Sequence, residues 1–373
     1  MIMRGQYEKQ NAYAASIHSG EGGNYPLFPV FDAHCDTLTG FDPSVSSLYD
    51  AKTHFNVKKQ CLYGRHIQVV DIWVDSARHN VTERVEKYIG EFYNQLGLLE
   101  KMGPEKVFSP VFITDARQLE GFYDAASSET DPGEVPGGTP CKCGLILGIE
   151  GGECIDADAA GFKAGRGFET LEKLFSRGVR LITLTWNTPN EMSDTNCAAR
   201  TEPGLTPFGR AVVREMNRLG IVIDLSHISD RGFWDVLSLS EKPVTASHSD
   251  SRELCPHSRN LTDEMFKALV KNGGVAGINF CTSFLGGSAD VGRIIEHIDR
   301  FCALGGEKNV GIGSDFDGID ELPGGIDGAE SLYKIFDGLL RMNYTEEQVR
   351  GIAYGNFLRL FEKTLPGGKD NRL

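Results

Sequence analysis

Eight short runs of apolar and β-branched residues alternate with longer amphipathic segments along this chain. That alternation is the signature of a parallel sheet whose strands are joined by crossover helices. The runs are residues 29–35 (PVFDAHC), 65–74 (RHIQVVDIWV), 144–150 (GLILGIE), 179–185 (VRLITLT), 221–227 (IVIDLSH), 243–249 (PVTASHS), 274–280 (GVAGINF) and 309–315 (NVGIGSD). Helical segments are expected at 82–102, 168–178, 207–220, 262–273 and 291–306, several of them closing on the glycine that suits a helix C-terminus. Thr206 before Pro207, and Thr262 before Asp263 and Glu264, read as N-caps. Eight strands in strict alternation favour an α/β fold of the TIM-like (β/α)8 barrel type over an open doubly wound sheet. The expected organisation is one barrel domain over residues 1–373, with its core at about 29–363 and inserted loops. The Gly/Pro/acid-rich stretch 127–144 reads as a surface loop and the tail beyond Lys363 as irregular.

Composition narrows the function. The 38 Lys and Arg against 52 Asp and Glu leave a formal charge of −14, which argues against a nucleic-acid partner. Charged residues interrupt every apolar run, so no membrane span is expected. The first 28 residues lack the apolar core of a signal peptide, and a cytoplasmic location is expected. Nine cysteines at scattered positions do not suggest a disulfide framework in a chain of 373 residues, and Cys141 and Cys143 lack a second pair to complete a structural zinc site.

Unusual residues concentrate at the expected C-terminal ends of the strands, where a barrel presents its chemistry. His34 and Asp36 stand two apart at the end of the first run, on one side of an extended chain. Glu150 ends the third run, His227 the fifth, His248 the sixth and Asp315 the eighth. Imidazole nitrogens and carboxylate oxygens suit zinc or a similar divalent ion. The set His34, Asp36, Glu150, His227 and His248 exceeds what one catalytic zinc takes, whereas two ions bridged by Glu150 would use all five. Such a centre can hold a hydroxide between the ions and polarise a carbonyl, which is a hydrolase design. The six other histidines (His18, His54, His66, His79, His257 and His297) fall in loops, in helices or at a strand start and read as structural. Asp224 reads as a residue that ties down the barrel or orients a ligand.

The segments FDAHCDTL, LGIEGG, LITLTWNTPNEMSD, GIVIDLSHIS, PVTASHSDSRELCPHSRNLTDE, GGVAGINF, NVGIGSDFDG and GNFLRLF occur in this order from residue 31 to about 361. Together they resemble the membrane (renal) dipeptidase family of zinc metallopeptidases. The resemblance implies a TIM-like barrel, usually dimeric, with two Zn2+ per chain and dipeptides as substrates. His34 and Asp36 then resemble the ligands of one zinc, His227 and His248 those of the other, and Glu150 the bridge. Asp315 resembles the carboxylate that carries a proton from the bridging water to the leaving amine. Arg259 resembles the arginine that holds the substrate's C-terminal carboxylate, a role that suits a guanidinium fork.

One departure concerns the substrate. Trp186 stands where well-known members carry a histidine that contacts substrate near the scissile carbonyl; indole offers an N–H donor and no basic nitrogen, and its bulk narrows the pocket. Neighbouring Asn187 is a candidate second donor. Lacking a leader or a hydrophobic tail, the chain resembles a cytoplasmic, bacterial member. Two competing readings are a binuclear amidohydrolase-like enzyme acting on another small amide or ester, and a non-catalytic binding protein on the same barrel. The presence of all five ligand residues and Asp315 weighs against the second.

Overall fold

The computed structural model describes residues 28–77, 80–106, 108–123, 141–198 and 203–367. Eight parallel strands close into a ring: β1 (Val30–Asp32), β2 (Arg65–Trp73), β4 (Cys141–Glu150), β5 (Val179–Thr183), β6 (Val222–Asp224), β7 (Thr245–Ala246), β8 (Val275–Ile278) and β9 (Val310–Ile312). Closure comes from the pairing of β1 with β9 through Asp32 and Ile312 and of β2 with β4 over nine residues. All eight expected runs supply these strands, and the fold is a TIM-like (β/α)8 barrel.

A ninth strand, β3 (Phe108–Phe112), was not legible. It pairs with Cys141–Leu145 of β4, on the flank that β5 takes over from Leu147 onward. Pro110 and a mostly half-buried face hide it, as expected of a strand at a sheet margin. β4 also begins earlier than expected. Cys141 and Cys143 are buried and alternate with half-buried Lys142, so the last four residues of the expected loop are strand; its residues 127–140 lie outside the described residues. So do residues 1–27 and the end of the tail from 368.

The outer layer includes α1 (Val81–Lys106), α2 (Glu169–Ser176), α3 (Pro207–Leu219), α4 (Asp230–Leu239), α5 (Asp263–Asn272), α6 (Val291–Ala303), α7 (Tyr333–Arg341) and α8 (Asn356–Thr364). The hydroxyl of Thr206 accepts the amide of Gly209 and that of Thr262 the amide of Met265, as the N-cap reading expects. Gly220 and Gly273 close α3 and α5 in the left-handed region at φ of 80° and 82°.

Several strands are shorter than their apolar runs, for a reason that positions the site. Buried aspartates take over the amides that the ladder would have used. Asp32 accepts the Ser314 amide at 2.9 Å, Asp224 the Ser247 amide at 2.7 Å and Asp250 the Asn279 amide at 3.1 Å. Backbone pairing resumes beyond these points, as at the parallel Cys35–Phe316 bridge and at the Ser249 amide, which donates to the Gly277 carbonyl at 2.7 Å.

Candidate metal centre

Glu150 lies at the middle of the strand ends, and its Oε1 is 2.9 Å from Nε2 of His227, 3.4 Å from Nε2 of His248 and 3.8 Å from Nε2 of His34. His34 Nε2 is also 3.4 Å from Asp36 Oδ2 and 3.6 Å from Asp315 Oδ1. The structure therefore brings together all five sequence-derived ligand candidates and Asp315. Two groups could each hold an ion, His34 with Glu150 and His248, and His34 with Asp36 and Asp315.

The partners of the far ring nitrogens settle which atoms face inward. His227 Nδ1 is 2.9 Å from Oδ1 of Asn187, an acceptor, so Nδ1 carries the proton and Nε2 the lone pair. His248 Nδ1 is 2.7 Å from the Ser247 hydroxyl, which donates its own proton to Asp224 Oδ2 at 2.7 Å, so here too Nδ1 donates. The two Nε2 atoms then face each other at 3.1 Å, lone pair to lone pair, beside a carboxylate. No hydrogen bond between the two rings satisfies that arrangement, and a divalent cation does.

His34 follows the same plan. Its Nδ1 is 3.0 Å from Oδ2 of Asp71 on β2. Burial disfavours charge on this ring, but Asp71 and Asp36 overcome it and hold its pKa well above the ordinary imidazole value. A cation would take the place of that proton. His227 and His248 are held well below the ordinary value, by burial first and then by neighbouring positive groups, which keeps both as neutral ligands. Glu150 is pushed well up by burial and then by Asp36, the mark of a carboxylate awaiting a counter-charge.

Asp315 is also raised, chiefly by burial, and its Oδ2 accepts Nδ2 of Asn279 at 2.9 Å. Its backbone lies in the left-handed region at φ 61°, as does that of His227 at φ 66°. Such conformations cost non-glycine residues about 1–3 kcal/mol, and both occur where a strand end is bent to aim a side chain inward.

Arg259 is buried behind Phe284, with its guanidinium carbon 5.3 Å from that ring's centroid. Nη2 donates to the His248 carbonyl at 3.3 Å, while Nε and Nη1 have no acceptor among the described residues. Trp186 and Asn187 line a cavity of about 580 Å3 that opens over the centre, together with Asp36, Glu150, His227 and Asp315. Asp317 lines it too, but its carboxylate accepts the Thr37 hydroxyl and the amides of His54 and Phe55.

Sequence reasoning missed Asp71, Ser247 and Asn279, which orient His34, His248 and Asp315. A signal existed for the first and last: Asp71 interrupts the apolar stretch Val69–Ile72 of β2 and Asn279 directly follows the apolar β8, places where burial demands a partner.

The profile of the membrane dipeptidase family (peptidase family M19) matches residues 136–369. Among solved structures, a metallo peptidase from Rhodobacter sphaeroides liganded with a phosphinate mimic of the dipeptide L-Ala-D-Ala is 25% identical. Its TM-score is 0.71, with 91% of this chain and 99% of that chain covered. An amidohydrolase from Pseudomonas aeruginosa (20% identical, TM-score 0.68, 91% and 97% covered) and a probable dipeptidase from the same organism (18%, 0.66, 90% and 95%) share the fold. With the family profile spanning more than half of the sequence and a barrel that gathers the candidate metal ligands at its strand ends, this chain belongs to the membrane dipeptidase family, peptidase family M19, and is a peptide-bond hydrolase.

Proposed function

We propose that the chain hydrolyses dipeptides with two divalent ions, zinc being the best match to its donor set. His34 and Asp36 would hold one ion, His227 and His248 the other, and Glu150 would bridge them. The observation that carries this reading is the convergence of unprotonated His227 Nε2 and His248 Nε2 on one Glu150 oxygen. Ions in such a site polarise a carbonyl and lower the pKa of water.

The protein's own groups do the rest. Asp315, buried, raised in pKa and fixed by Asn279, accepts a proton from the attacking water and returns it to the leaving nitrogen. Arg259, whose Nε and Nη1 are buried without an acceptor among the described residues, holds the substrate's C-terminal carboxylate. Trp186 and Asn187 border the substrate; Oδ1 of Asn187 is engaged by His227, which leaves its amide N–H groups for the ligand. The dipeptide mimic bound by the Rhodobacter sphaeroides relative supports the substrate class. The family resemblance supports a homodimer, which sedimentation equilibrium would check.

Elemental analysis of protein purified without chelator should find close to two divalent ions per chain. Chelation should abolish dipeptide hydrolysis and zinc should restore it. Dipeptides amidated at the C-terminus should be cut more slowly than free ones, by the roughly tenfold or more that a lost charge-assisted hydrogen bond costs. A firm stoichiometry of one ion would overturn the binuclear assignment, and equal rates on amidated and free dipeptides would overturn the role of Arg259.

A further inference from the structure

Trp73 is the last residue of β2 and lies in register beside Glu150, while Trp186 follows β5 on the other flank of the same strand. Their indoles meet edge to face, with centroids 5.0 Å apart and planes at 62°, and the Trp186 ring is 6.3 Å from that of His227. Both side chains are half-buried and both line the cavity over the metal centre, with Tyr88 of α1 beyond them. The Trp186 amide is tied to Oε1 of Glu153 at 3.4 Å, so the wall is anchored from behind.

Ring order places this wall. The strands run β1, β2, β4, β5, β6, β7, β8, β9 around the barrel, so β4 with its flanking tryptophans stands opposite β8. Arg259, between β7 and α5, packs on Phe284 just after β8. A dipeptide whose carboxylate reaches Arg259 and whose scissile carbonyl lies over Glu150 therefore directs its N-terminal residue toward the two indoles.

We propose that Trp73 and Trp186 receive the side chain of the substrate's N-terminal residue and select a flat, uncharged, apolar one. The inference rests on the dipeptidase reading and on Arg259 as the carboxylate holder. Aromatic rings reward offset or edge-on contact with another ring, and burying apolar surface on a preformed wall costs little ordering. A charged side chain would lose hydration against this wall, and the cavity beside it offers Asp75 and Arg84 together, with no net charge to favour one.

The test compares kcat/KM of the zinc-loaded enzyme on Phe-Gly, Gly-Gly, Glu-Gly and Gly-Phe. Phe-Gly should exceed Gly-Gly by about 10²-fold, the discrimination that an apolar pocket achieves, with no such gain for Glu-Gly or Gly-Phe. Trp73→Ala and Trp186→Ala should each cut the Phe-Gly to Gly-Gly ratio by about tenfold, mainly through KM, with metal content unchanged. Trp186→Phe, which keeps a flat ring, should retain most of the ratio and guards against a variant that fails to fold. An unchanged ratio in the alanine variants, or a larger gain for Gly-Phe, overturns the proposal while leaving the dipeptidase reading intact. Cleavage of none of the four strikes down the dipeptidase reading and the proposal with it.

Discussion

At the scale of single residues, the proposed reaction separates groups that hold charge from groups that move it. Glu150 touches all three imidazoles, whereas Asp315 sits to one side, hydrogen-bonded to Asn279 and 3.6 Å from His34. Asp315→Asn keeps the shape but cannot accept a proton, so kcat should fall by roughly 10² to 10⁴ with both ions retained. Glu150→Gln should instead lower metal content, because it removes the charge that two imidazole lone pairs face. Steady-state kinetics together with elemental analysis of both variants decide this, and near-normal turnover by a metal-loaded Asp315→Asn would remove Asp315 from the reaction. The candidate ligands were legible in the sequence because histidines are few and three of the nine stand at strand ends. The residues that orient them were not, since a buried aspartate such as Asp71 is the same letter whether it meets an imidazole or a backbone amide.

At the scale of elements, the centre depends on close approaches between strands. A side chain at Gly148, in the middle of β4, would overlap the Asp71 carboxylate that holds His34. Gly148→Ala should therefore weaken metal binding by the 10- to 100-fold, in order of magnitude, typical of losing a ligand's hydrogen-bond partner, although no ligand is altered. Thr206→Ala, at the start of α3 and away from the centre, serves as the contrast. Loss of its N-cap bond to Gly209 should cost about 1 kcal/mol of stability, leaving metal affinity and kcat unchanged. Metal titration and thermal unfolding of the two variants check the separation. Normal metal affinity in Gly148→Ala would show that Asp71 does not govern His34. The cap was readable because it is a local pattern of neighbouring residues, whereas the Gly148–Asp71 approach joins positions 77 apart and exists only once β2 and β4 pair.

At the scale of the whole molecule, two buried histidines remote from the centre lower its tolerance of acid. Burial pushes His66 down to about 3 and His297 down to about 4. His297 is satisfied as a neutral ring: Nδ1 accepts the Ser251 amide at 3.0 Å and Nε2 donates to the Leu285 carbonyl at 3.0 Å. The unfolded chain binds these protons near pH 6.5, the folded chain only well below, so between those values the unfolded state holds more protons and stability falls as pH is lowered. Buried Asp71, raised to about 6, acts in the opposite direction over part of that range. A substitution therefore isolates the histidine effect. His297→Gln keeps one donor and one acceptor without titrating, and its loss of Tm between pH 7 and pH 5 should be smaller than that of the wild type; equal losses would show that His297 does not contribute.

By itself, the sequence determined the barrel and the candidate ligand set, because both follow from one-dimensional regularities. Apolar runs that alternate with amphipathic segments close only as parallel strands with crossovers, and the rare His and acidic residues stand at the ends of those runs. Tertiary structure alone decided which atom of each ligand faces inward, which strand ends bend into the left-handed region at His227 and Asp315, and where β3 and the two tryptophans lie. Tautomers, backbone strain and edge-to-face contacts arise between residues brought together by folding from distant positions, and the order of amino acids does not encode them locally.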